Sequence, residues 1–102
     1  MVMYQTVREP DQAKIRAKQE LIAAIERCIS HVTSEKSKLQ ETLKMIDHLA
    51  HGSVTGAYGR LTGECQRGIQ ATQSALNRLN TALNAARRLD TTKEVTVANG
   101  QY

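Results

Sequence analysis

Four side chains in this chain are of the types from which a reactive or metal site is built: His48, His51, Cys28 and Cys65. His48 and His51 stand three residues apart, a spacing that places two imidazoles on one face of a helix, where they could ligate a divalent metal. No cysteine or further histidine is near enough to complete a ligand set, and Asp47 alone adds little. They are therefore expected to be solvated histidines that complement the dipole at a helix end. Cys28 and Cys65 could form a disulfide only if the fold brought them together. A reversal near Ser53 instead sets Cys28 beside about Arg78 and Cys65 beside about Glu41, too far apart for a bridge within one chain. Both thiols are expected to act as small buried hydrophobes, with an intermolecular bridge open only in an oxidising space. These residues define no enzyme, no cofactor and no small-molecule substrate.

The elements that would position them are read from the apolar periodicity. Ile15, Ile22, Ile29, Leu43 and Ala50 share one heptad position, and Ile25, Val32, Leu39 and Ile46 lie three residues further on. A repeat of this kind is the signature of a helix packed along its length against another helix. It returns after a glycine-rich break as Ile69, Leu76 and Leu83, with Cys65, Thr72, Leu79 and Ala86 at the companion position. The expected fold is all-α, an antiparallel two-helix hairpin that forms a helical bundle on dimerisation. Lys18 and Lys36 interrupt the seam, where a lysine stem can lie along apolar surface while its ammonium reaches out.

Composition limits the alternatives. A chain of 102 residues with three tyrosines, no Phe and no Trp has little bulk for a globular core. Its 14 basic and 10 acidic residues give a net charge of +4, short of what a dedicated nucleic-acid surface carries. Arg78, Arg87 and Arg88 read as a solvated face with cations toward a helix C-terminus. No stretch resembles the apolar core of a signal peptide, and none is long enough to span a bilayer. The expectation is a protein made in the cytoplasm, without membrane insertion or nucleic-acid binding, whose export, if any, uses no Sec signal.

Along the chain, residues 1–9 read as a leader and residues 10–90 as the hairpin. Pro10 suits the first position of helix one, with Asp11 adding negative charge to its first turn. Helix one is expected over about 10–50, the turn over about 51–56 and helix two over about 57–90. Gly52, Gly56, Gly59 and Gly63 mark the region where the chain reverses, and Ser53 or Thr55 is the expected cap of helix two. Residues 91–102 lose helical period and read as an extended or disordered flexible tail.

A third apolar stripe lies one position before the Ile15 series. It comprises Leu21, Cys28 and Leu49 in helix one, and Leu61, Gly68, Ala75, Ala82 and Leu89 in helix two. Apolar residues then fill three of seven positions, wider than the two a single antiparallel neighbour covers. The surplus points to a helical protein partner in a homodimer or heterodimer. Its candidate contact residues are Leu21, Ile25, Cys28, Val32, Leu49, Leu61, Ala75, Leu76, Leu79, Ala82, Leu83 and Leu89.

At the reversal, Gly52-Ser53-Val54-Thr55-Gly56-Ala57-Tyr58 resembles the loop of the small helical-hairpin proteins of type VII (ESX-type) secretion, in which a W-x-G motif joins two long helices. Val54-Thr55-Gly56 stands for W-x-G, with Val54 in place of the tryptophan, and Val54 and Gly56 would shape the turn. The layout is similar too: about 100 residues, an opening Asp11-Gln12-Ala13-Lys14 helix and a second helix rich in Ala, Asn, Gln and Thr. Of the Y-x-x-x-D/E export signal that family members often carry, Ala86 to Asp90 keeps only the spacing and the acid. The resemblance implies a substrate of such a system, or an accessory targeting partner or chaperone that binds the helical N-terminal domain of an LXG-type toxin. The alternative is a homodimeric cytoplasmic coiled-coil adaptor or structural protein unrelated to secretion.

Overall fold

A computed structural model describes residues 3–52 and 55–99 of the chain. In chain order it contains β1 (Met3–Pro10), α1 (Gln12–Ala50), α2 (Gly56–Arg87) and β2 (Thr92–Asn99). The two long helices fold back on one another as the heptads require. The termini differ from expectation. The leader and the tail are not independent extensions but the two strands of an antiparallel sheet, so the fold is not purely α-helical. Pairing runs from Met3 opposite Asn99 to Pro10 opposite Thr92.

The local chemistry explains the boundaries. Asp11 is the N-cap of α1, its carboxylate accepting from the backbone N–H groups of Ala13 at 3.0 Å and Lys14 at 3.3 Å. That cap starts the helix at Gln12, so Pro10 ends β1 instead of opening α1. The last turn of α1 is closed by His51 in the left-handed conformation, φ 48°, followed by Gly52 at φ 84°. Thr55 then takes the extended backbone of an N-cap and Gly56, at φ 60°, opens α2. Of the two caps expected for α2, Thr55 holds the position; Ser53 and Val54 lie outside the described residues.

Helix α2 ends three residues before the expected Asp90. The chain there tightens: the amides of Arg88 and Leu89 donate to Ala85 and Ala86, three residues back, each at 3.2 Å. Asp90 then turns the chain, its carboxylate accepting from the Thr92 amide at 2.9 Å and the Thr92 hydroxyl at 2.6 Å. The open end of the hairpin thus delivers Thr91 beside Asp11, whose amide donates to the Thr91 carbonyl at 2.9 Å. Once the helices have paired, the two strands are neighbours despite lying at opposite ends of the sequence.

The result is a rod of 88 × 16 × 12 Å. Helix α1 accounts for about 58 Å at 1.5 Å per residue, so the ribbon extends the rod beyond the open end of the hairpin. The seam is thin: among the described residues Ile46, Ala50, Cys65, Leu83 and Ala86 are the buried apolar side chains, and the remaining seam residues are half-buried. Cys65 fills its seam position as expected, and its Sγ donates to the Leu39 carbonyl at 3.1 Å. Cys28 departs from expectation and is exposed, because it stands on the flank of the seam and not within it. Neither cysteine is in a disulfide.

Candidate partner-binding face

The register of the hairpin is fixed by contacts between its helices. Lys18 Nζ donates to the carbonyls of Arg87 at 2.7 Å and Leu89 at 3.1 Å, so the lysine that breaks the α1 seam caps the C-terminal end of α2. Lys36 Nζ reaches Gln73 Oε1, and Leu39 packs against Gly68. In an antiparallel pair with this register, the third stripe of one helix flanks the same side of the seam as the third stripe of the other. Leu21 and Leu89 wall one cleft at the open end of the hairpin, and Leu49 and Leu61 flank the turn, with Cys28, Gly68, Ala75 and Ala82 along the stripe between. Leucine pairs stand at both ends and small residues dominate between them.

The candidate contact residues fall into two sets. Ile25, Val32, Ala75, Leu76 and Leu79 are half-buried and Leu83 is buried, at seam or seam-flanking positions where the two helices of this chain meet. Leu21, Cys28, Leu49, Leu61, Ala82 and Leu89 are exposed, the leucines to 44, 65, 52 and 49% for positions 21, 49, 61 and 89. The second set leaves apolar surface in water. Near the turn Met45 is 64% exposed and joins it. Sequence reading missed that methionine, although its place one turn before Leu49 was a usable signal.

Two clefts open on this side. One, of about 230 Å³, is walled by Ala17, Leu21 and Leu89 and rimmed by Lys14, Lys18 and Asp90. The other, of about 400 Å³, lies over Ala24, Cys28 and Val32 with Arg27 and His31 at its edge. Both are apolar hollows with charged margins, a shape that accepts aliphatic side chains from a neighbouring helix.

Charge is concentrated where the ribbon joins the hairpin. Arg8 makes ion pairs with Asp90 and with Glu94, the latter at 3.3 Å, and its Nε donates to Thr92 Oγ1 at 2.7 Å. Lys14 Nζ donates to the Thr92 carbonyl at 2.9 Å. The Thr92 hydroxyl and amide, followed by the Arg8 guanidinium, hold the Asp90 carboxyl below its ordinary value. These groups are engaged with one another and brace the junction.

His48 and His51 lie at the end of α1 with ring centroids 6.2 Å apart and tilted planes. Among the described residues no group of three or more His, Cys, Asp or Glu side chains could hold a metal ion. Of the turn motif, Gly56 supplies the positive φ, while Val54 is outside the described residues. No described helix is long and apolar enough to cross a membrane.

Fold and face together define a class: a helical hairpin zipped at its open end by a terminal β-ribbon, with one apolar flank uncovered. No family model, curated protein or solved structure matches the chain.

Proposed function

We propose that the protein is a non-catalytic pairing module of a type VII secretion system, acting as a substrate or as a targeting partner that binds the helical N-terminal domain of an LXG-type toxin. The carrying observation is the exposed flank of Leu21, Leu49, Leu61 and Leu89 on a hairpin whose two helices already pack against each other along the seam. Apolar side chains at helical spacing on both ends of a rod suit a second helical rod laid alongside, giving a four-helix arrangement. The glycine-shaped reversal and the length of the two helices support placing it with the ESX-type hairpins.

In this reading the chain contributes shape and apolar surface, and the partner contributes the export signal or completes one with the segment from Leu89 onward. Co-expression with the product of the adjacent gene, followed by size-exclusion chromatography with light scattering, tests it. A one-to-one complex that is lost in Leu49→Asp, while helicity is retained, is the expected result. Independent elution of the two proteins overturns the secretion pairing, and a two-copy species of this chain alone through the same flank favours the self-contained coiled-coil adaptor.

A further inference from the structure

The ribbon is the part of the molecule that the helical reading leaves unused. Strand β1 pairs with β2 and with no other strand among the described residues, so each presents one open edge of backbone N–H and C=O groups. A two-stranded ribbon is marginal by itself and its edges are templates for a further strand. Proteins normally guard such edges with charge. Here the charged residues Arg8, Glu9, Lys93 and Glu94 sit at the base, beside the helices, while Met3 to Val7 and Val95 to Ala98 carry none. The outer half is exposed: Met3 to 58%, Tyr4 to 70% and Val97 to 37%.

We propose that the edge of β2 is a self-association site that adds the β2 strand of a second copy in antiparallel register, centred on Thr96. Strand β2 is favoured over β1 by composition, because Val95, Thr96 and Val97 form an uncharged β-branched run, whereas β1 ends in Pro10, which has no N–H to give. The register follows from the β-branched run, because only centring on Thr96 pairs the whole of Val95 to Val97 with the same run of the second copy. Centring on Thr96 sets Val95 opposite Val97 of the second copy, Glu94 opposite Ala98 and Lys93 opposite Asn99, so no like charges face each other. The contact is isologous and closes on a dimer at that edge.

The geometry separates this site from the helical flank. Antiparallel β2 strands send the two hairpins in opposite directions, giving an object about 150 Å long from two 88 Å rods overlapped by one ribbon. Pairing through the helical flank instead gives a dimer no longer than about 115 Å. The β2 contact is small and belongs to the weak class of interfaces, so dimers should accumulate between about 10 µM and 1 mM. It stands independently of the secretion reading.

The test uses the full chain carrying Leu49→Asp, which silences the helical flank, in sedimentation and small-angle scattering over that concentration range. The expected result is a mass rising from 11.3 kDa toward twice that value, with a maximum dimension near 150 Å. Thr96→Lys and Thr96→Glu, each alone, should weaken dimerisation at least about tenfold by setting like charges across the two-fold axis, and an equal mixture of the two should restore it. Restoration shows that both variants fold. A single-chain mass throughout, a dimer near the shorter length, insensitivity to Thr96→Lys, or a mixture that stays monomeric overturns the proposal. Sensitivity to Thr6→Lys in place of Thr96→Lys also overturns it, by moving the contact to β1.

Discussion

Gly68 lies directly against Leu39: a Cβ added to the glycine would stand 3.2 Å from Leu39 Cδ1. That contact makes Gly68 and Gly63 of α2 unequal. Gly63 has nothing within 4 Å of its notional Cβ and no positive φ, so Gly63→Ala gains helix propensity without a clash. It should stabilise the fold by about 0.5 to 1 kcal/mol. At Gly56, with φ 60°, the same change should destabilise by about 1 kcal/mol. At Gly68 the propensity gain is opposed by the shift demanded of Leu39, and the net effect should fall below that at Gly63. Thermal unfolding of the three variants checks the order Gly63, Gly68, Gly56, from most to least stable.

The seam and the flank should respond differently to substitution. Leu83 is 8% exposed and Leu83→Ala should cost about 2 to 3 kcal/mol, enough to threaten a two-helix layer. Leu49, 65% exposed, touches little in the single chain, so Leu49→Asp should change its stability by less than about 0.5 kcal/mol. Urea unfolding of the two variants at equal concentration measures the contrast. Comparable losses in both would mean that the flank is already covered in the isolated protein.

How much of this could be read in advance follows from the range of each interaction. The hairpin was legible because Ile15, Ile22, Ile29 and their companions repeat along each helix, so every turn restates the pattern. The exposed flank was legible in part, since Leu21, Leu49, Leu61 and Leu89 lie one position off the seam. Periodicity alone did not separate them from Ile25, Val32, Leu76 and Leu79, which the hairpin consumes. The β-ribbon was not legible. Val7 and Val95 are partners across nearly the whole sequence, and neither strand has enough alternation to announce itself. Only the closing of the hairpin, with Asp11 bonded to Thr91, makes that pairing local. Lys18 was similarly opaque, because its partners are backbone carbonyls that no side-chain pattern records.

Lys18 yields a prediction of its own. Its ammonium takes the carbonyl of Arg87, the last residue of α2, and that of Leu89 just beyond it. Lys18→Met keeps the apolar stem in the seam and removes the cap. The expected cost is about 1 kcal/mol, because the site is partly solvated. The loss should be local: amide exchange of Arg87 to Asp90 and of the adjoining strand residues should accelerate more than that of Leu76 or Leu79. Uniform acceleration along both helices would show that Lys18 acts through the seam and not through the cap.

The junction should also respond to acid. In the folded chain Asp90 titrates below its ordinary value of 3.8, chiefly through the Thr92 hydroxyl and amide and then through Arg8. A carboxyl with a lowered folded pKa supplies stability that is fully present above its unfolded pKa and is lost as pH falls through the folded one. The ribbon junction should therefore be indifferent to pH from neutrality down to about 5 and loosen below about 4. Amide exchange or chemical shifts of Thr92 to Val95, followed from pH 6 to 2, report the transition. Asp90→Asn retains an acceptor for Thr92 but drops the ion pair with Arg8, so this variant should have a looser ribbon at neutral pH and a smaller acid response. If the ribbon of Asp90→Asn melts over the same acid range and with the same amplitude as the parent, Asp90 does not carry the effect.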